Sequence, residues 1–198
     1  MELPRRAGDE LLRPGEFGAL RSRLREHAAR HDLATVVACA FDHRTRLLPF
    51  IGADLRMAPA GARAIGAAMA DAGFSKTRIV LQQWNRNFRP SRMALDGRIP
   101  DLFLVSSMSL HATRSRELVA GAGRIDPAHR PLVVVGGAKA VYQPWEAFRA
   151  SPDEPPGADL AVTGEEFVWL SVLEALLEER ARGETLRSTF LRLRDRGA

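Results

Sequence analysis

Apolar positions along this chain follow two alternating patterns. Short continuous runs rich in β-branched residues alternate with longer stretches in which apolar residues recur every three or four positions. The clearest run is Pro131-Leu-Val-Val-Val-Gly-Gly137. A short apolar run bounded by proline and a glycine pair reads as a strand buried on both faces. Its valines suit a pleated surface and disfavour helix. Residues 34–41, 76–84, 101–109 and 158–162 read as four more strands. Phe17, Leu20, Leu24 and Ala28 lie at helical spacing with arginines on the other face, which predicts an amphipathic helix over 17–31. The Ala/Gly-rich stretch from Pro59 to Ala72 predicts a second, with proline in its first turn and Gly73 as its stop. Further helices are expected at 113–122, at 167–182 with the stripe Phe167, Leu170, Leu173 and Leu176, and at 184–196. A short helical turn is expected at 144–148. Residues 1–14 read as a loose arm, 47–55 as loop, and 85–95 as loop with a short helix.

Strands alternating with helices, five times over, specify an α/β fold. We expect a three-layer, flavodoxin-like or Rossmann-like doubly wound sheet of about five parallel strands. The order 2-1-3-4-5 fits, although the sequence does not fix it. The chain divides into an N-terminal arm and helix (1–32), the main domain (33–183) and a C-terminal helical tail (184–198).

Composition narrows the class. Of 198 residues, 45% are hydrophobic and 27% charged, as in soluble globular proteins. No apolar run approaches the ~20 residues of a membrane span, and the N-terminus lacks the apolar core of a signal peptide. A cytoplasmic location is the default. The single cysteine, Cys39, excludes an intrachain disulfide, and with it a cysteine-ligated iron–sulfur cluster or structural zinc site built from this chain alone. Net charge is +5, and Lys76 and Lys139 are the only lysines. The arginines are scattered, so they read as solvated helix faces rather than a nucleic-acid-binding stripe. His27 and His31 share a helix face, but no acid or cysteine stands at a metal-site spacing from them.

In open α/β sheets, ligands bind beyond the carboxyl ends of the strands. The candidates there are Asp42-His43, Ser106-Ser107-Met108-Ser109, Gly136-Gly137-Ala138-Lys139 and Thr163-Gly164-Glu165-Glu166. The glycine pair lets a ligand approach the main chain closely, and it also serves as a tight turn. Ser109 or Thr113 can cap the following helix, and Glu165 and Glu166 complement a helix dipole. No G-x-S-x-G elbow, phosphate loop or G-x-G-x-x-G fingerprint is present. Asp42 alone does not make the paired acids of a receiver domain.

Asp101-Leu-Phe-Leu-Val-Ser106, Pro131 to Gly137, Gly157-Ala-Asp159 and Val162-Thr-Gly164-Glu-Glu166, followed by a leucine-rich helix, together suggest a family. The chain resembles, over roughly 34–183, the cobalamin-binding domain found ahead of the core in cobalamin-dependent radical S-adenosylmethionine enzymes. Met57-Ala-Pro59 through Gly73-Phe74 is similar to that family's first helix. The resemblance implies that Ser106, Gly136 and Gly137 line the channel for the cofactor's nucleotide tail, with Gly164 and Glu165 after the fifth strand. Ser107, Ser109, Ala138 and Thr163 complete the expected cofactor-binding set. Met57, Trp84, Phe88, Met108, Tyr142 and Trp145 are candidates for an apolar shelf under the corrinoid.

Two departures qualify the match. Asp-x-His-x-x-Gly does not follow the first strand, because Asp42 and His43 are adjacent, so no histidine–cobalt bond is expected. The Cys-x-x-x-Cys-x-x-Cys motif is also absent. The iron–sulfur cluster and S-adenosylmethionine would therefore belong to a downstream core, on the same or a separate chain. Two other readings stay open. One is a flavodoxin-like docking or structural domain without cofactor; the other is a small α/β enzyme or nucleotide binder using Ser106, Lys139 and Glu165.

Overall fold

The computed structural model describes residue 13, residues 15–45 and residues 59–197. The expected arm at 1–14 lies almost wholly outside them, as do the loop at 47–55 and Met57. The five apolar runs become β1 (Thr35–Cys39), β2 (Thr77–Leu81), β3 (Leu102–Ser106), β4 (Leu132–Gly136) and β5 (Leu160–Ala161). The helices are α1 (Glu16–Arg30), α2 (Ala60–Asp71), α3 (Ala112–Ala122), α4 (Ala138–Tyr142), α5 (Glu166–Glu178) and α6 (Leu186–Asp195).

The strands lie in the order β2-β1-β3-β4-β5, and every pair is parallel. This is the flavodoxin-like arrangement. Alternate side chains of each strand feed two cores. Val37, Leu104 and Val134 point to a face covered by Leu24 of α1, Met69 of α2, Trp169 and Leu173 of α5 and Leu186 of α6. Val36, Phe103, Val105, Val133 and Val135 point to the other face, under Leu118 and Val119 of α3 and Ala140 of α4. With both faces covered, β1 is buried along its whole length, as its continuous apolar run requires.

Two carboxylates set the amino ends of the strands. Asp101 accepts from the Ala34 amide at 2.8 Å, and Asp159 accepts from the Val133 amide at 3.0 Å. Asp159 also pairs with Arg187 of α6 at 3.1 Å. The expected tail is thus part of the packed domain: Leu186 and Thr189 are buried. Asp159, one of the residues that carried the family resemblance, lies at the amino edge of the sheet.

Several boundaries differ from expectation. β3 ends at Ser106 rather than 109, because Ser109–His111 turns as a 3₁₀ helix into α3. β5 is only two residues long, with Pro155, Pro156 and Gly157 just upstream. α5 stops at Glu178, and the chain turns at Gly183 (φ +85°) before Thr185 caps α6, accepting from the Ser188 amide. α4, not foreseen, follows Gly137 directly. No described helix is long and apolar enough to cross a membrane.

Cys39 lies buried in β1, and burial pushes its thiol up to about 11. The folded protein should therefore fail to react with Ellman's reagent at pH 8, whereas unfolding in urea should release one thiol. Fast native-state labelling would contradict this packing.

Candidate functional site

The site is built by strand tips that end level with one another. Register places Ser106 opposite Cys39 on one side and Gly136 on the other. Just beyond, the Ser107 amide donates to the Gly136 carbonyl at 2.9 Å, and the Lys139 amide donates to the Ser107 carbonyl at 3.1 Å. These bonds stitch the tips of β3 and β4 together. Gly137 sits at the join with φ +89°. A Cβ there would come within 2.8 Å of the Ser107 carbonyl oxygen and 3.1 Å of its amide. Both the conformation and the close approach demand glycine.

Between these tips and the first turns of α2 and α5 lies a slot of about 110 Å³. Its lining includes Gly61 and Ile65 of α2, Ser106, Gly136 and Gly137 at the tips, and Gly164, Glu165 and Trp169 at α5. Gly61 keeps the roof open: a Cβ at this position would meet only the Ser106 Oγ, at 3.8 Å. Gly136 keeps the floor open, since a Cβ there would meet only the Val162 carbonyl oxygen, at 3.7 Å. Gly66, one turn further along α2, serves packing instead, lying where a Cβ would come within 2.5 Å of the Ile79 side chain. Gly164 likewise makes room for Val168.

Five of the nine expected residues thus converge on the slot: Ser106, Gly136, Gly137, Gly164 and Glu165. The other four do not line it. Ser107 is buried and lines a cavity on the opposite face of the sheet. Ser109 is exposed on its 3₁₀ turn, Ala138 is exposed at the start of α4, and Thr163 is exposed beyond β5. Gly61, Ile65 and Trp169 escaped the sequence reading. The density of small residues after Pro59 was the available signal for the first of them.

The comparisons with known proteins fall here. No protein-family model, curated protein or solved structure matches this chain. What the site can do must come from its own chemistry.

Large apolar side chains are exposed just beyond β2 and β3, at Trp84 and Met108, and on the opposite face at the end of α4 and in the turn after it, at Tyr142 and Trp145. Trp84, Met108, Tyr142 and Trp145 are 57%, 50%, 75% and 65% exposed. Phe88 does not join them. It is half-buried, with its ring 6.2 Å from that of Phe103 in the core.

At the tip of β1, Asp42 is buried and committed. Arg44 grips its carboxylate through two hydrogen bonds of 2.8 and 2.9 Å, and the Arg44 amide adds a third at 2.9 Å. Arg44 reaches on to Glu117 of α3 at 3.1 Å. The Asp42 amide donates to His111 Nδ1 at 3.1 Å, and His43 packs edge-on against Phe41 at 4.8 Å. The carboxylate is thus held by Arg44, and no cluster of metal-ligating residues forms among the described residues.

The Arg44 guanidinium holds the Asp42 carboxyl at about 2, below the usual carboxylate range. Because the folded value lies below the unfolded one, this pairing stabilises the fold above about pH 4. That contribution fades as pH falls from 4 toward 2. Arg44 is largely exposed, so solvent screening keeps this contribution small. Asp42→Asn should therefore be less stable at pH 7 and lose less stability between pH 5 and pH 2, read by urea unfolding. Parallel pH profiles would refute this role for the pair.

On the opposite face of the sheet, a cavity of about 440 Å³ lies between α3 and α4, lined in part by Ser107, Lys139 and Glu146. Lys139 pairs with Glu146 at 2.9 Å, and Arg116 approaches the same carboxylate at 3.7 Å. Lys139 is therefore separated by the sheet from Ser106 and Glu165. The three do not converge on one reacting centre.

Proposed function

We propose that this chain is a cobalamin-binding module of a radical S-adenosylmethionine enzyme, of the kind that transfers methyl groups. It holds the corrinoid at the carboxyl edge of its sheet. The observation that carries this reading is the slot between the tips of β3 and β4 and helices α2 and α5. It is kept open at Gly61 and Gly136.

The residues present fit such a group. A corrinoid is a broad, flat ring fringed with amides, carrying a nucleotide tail. Trp84 and Met108, exposed just beyond β2 and β3, offer apolar surface to the ring. The slot would take part of the tail, with the Ser106 hydroxyl at its lining to hydrogen-bond it. Gly136 and Gly137 allow the tail to lie against bare backbone. The corrinoid, when bound, supplies the group-transfer chemistry. This chain's residues bind and orient it, and a downstream core, on the same or another chain, provides the iron–sulfur cluster and S-adenosylmethionine.

The test is direct. Purified protein mixed with hydroxocobalamin and passed through a desalting column should emerge red, with about one corrinoid per chain. Colourless protein at saturating corrinoid would overturn the reading. It would leave a flavodoxin-like docking domain without cofactor.

A further inference from the structure

A second surface follows from an irregularity of the fold and does not rest on the cobalamin reading. Parallel strands are usually joined by a crossover helix. The connection from β2 to β3 contains no α-helix; its one helical piece is the 3₁₀ turn Pro90–Arg92. On the face that it crosses, a broad open groove is left over β1 and β2. Half-buried Val80, Phe88 and Leu95 give it an apolar floor above the buried Val36 and Met93, and Arg78, Arg89 and Arg92 stand at its rim. The loop is seated against α3, close enough that a Cβ at Gly121 would come within 3.3 Å of the Pro90 ring.

The charge of this groove is unbalanced. Residues 77–95 hold four arginines, Arg78, Arg86, Arg89 and Arg92, and no aspartate or glutamate. All four are exposed. Arg78 donates only to the Ser75 and Thr77 carbonyls, and none of the four pairs with an acid among the described residues. Elsewhere arginines commonly meet carboxylates, as Arg23 meets Glu174 and Arg187 meets Asp159. Here, among the described residues, no acid balances the positive potential.

We infer that this groove docks an acidic amphipathic helix of a partner protein, which lies across β1 and β2 where a crossover helix would otherwise sit. An apolar floor with an arginine rim matches a helix with one apolar and one acidic face. The groove is too open to enclose a small ligand. Nucleic acid fits less well, because single strands bind by stacking bases on exposed rings. The ring in the groove, Phe88, is instead turned to Phe103.

The probe is a fluorescein-labelled 20-residue peptide with leucine along one helical face and glutamate on the other. Anisotropy in low salt should show binding that weakens with added salt. The triple variant Arg78→Glu/Arg89→Glu/Arg92→Glu should weaken it at least tenfold, and the corresponding glutamine variant should fall between. Amide shifts on titration should centre on residues 78–95. Should the triple reversal fail to fold, Arg89→Glu alone, on the exposed loop, gives the same readout in smaller measure. Equal affinity for the wild-type and variant proteins would sink the inference. So would equal binding of a lysine counterpart of the peptide, or tighter, arginine-dependent binding of a 20-nucleotide oligo-dT. The last outcome would make the groove a nucleic-acid surface.

Discussion

Gly136→Val should leave the protein folded and strip it of hydroxocobalamin. Gly136 closes β4, two residues after Val134, so its side-chain direction is toward the slot. A Cβ there meets nothing closer than 3.7 Å, and φ is not positive. Valine suits a strand, so thermal stability should hold or rise slightly. Its two methyl groups, however, would occupy the floor of a space of only about 110 Å³, and a strand side chain cannot swing out to solvent. Retention on a desalting column should fall to background. A folded variant that stays red would show that the tail does not use this slot. Gly137 is the wrong place for this test. Any side chain there is strained at φ +89° and would collide with the Ser107 backbone, so loss of cofactor could not be told from loss of fold. Gly61→Ala, on the roof of the same slot, is the smaller companion change: it adds one methyl 3.8 Å from Ser106 Oγ in the first turn of α2 and should lower corrinoid retention less than Gly136→Val does.

The second large effect belongs to Trp169. It is the bulkiest side chain buried in the core, and its indole N–H is directed at the Met69 sulfur, 3.3 Å away. It joins α5 to α2 and forms the inner wall of the slot. Trp169→Ala should cost about 3–5 kcal/mol in urea unfolding, the range for deleting a large buried aromatic. Trp169→Phe should lose much less, since most of the buried surface remains. A loss below about 1 kcal/mol for the alanine variant would mean that the two helices are not packed through this residue.

What was legible in the sequence follows from range. Val133, Val134 and Val135 announce a doubly buried strand through their own chemistry, and Gly136 and Gly137 announce its end. Five strands and their alternation with helices could be read in this way. Strand order could not, because it depends on which helices cross which face, and nothing local encodes that. The same limit explains the site. Ser106, Gly136, Gly137, Gly164 and Glu165 sit at strand tips and were found as tips. Gly61 and Trp169 enter the slot only because α2 and α5 share a face, and they lie 108 positions apart (169 − 61 = 108). Ser109 was misplaced for a smaller reason: the chain turned as a 3₁₀ helix two residues after the strand had ended. Helix α4 was missed because five residues cannot display a helical period.

The pairing of Arg23 on α1 with Glu174 on α5 spans 151 residues. The ribosome extends a chain at roughly 5–20 residues per second. Helix α1 must therefore wait about 8–30 s for the surface that covers Leu20 and Leu24. During that interval its apolar stripe stands open on the nascent chain. Completion of the fold is a late, long-range event, and synthesis at reduced temperature or with abundant chaperone should raise the yield of intact protein.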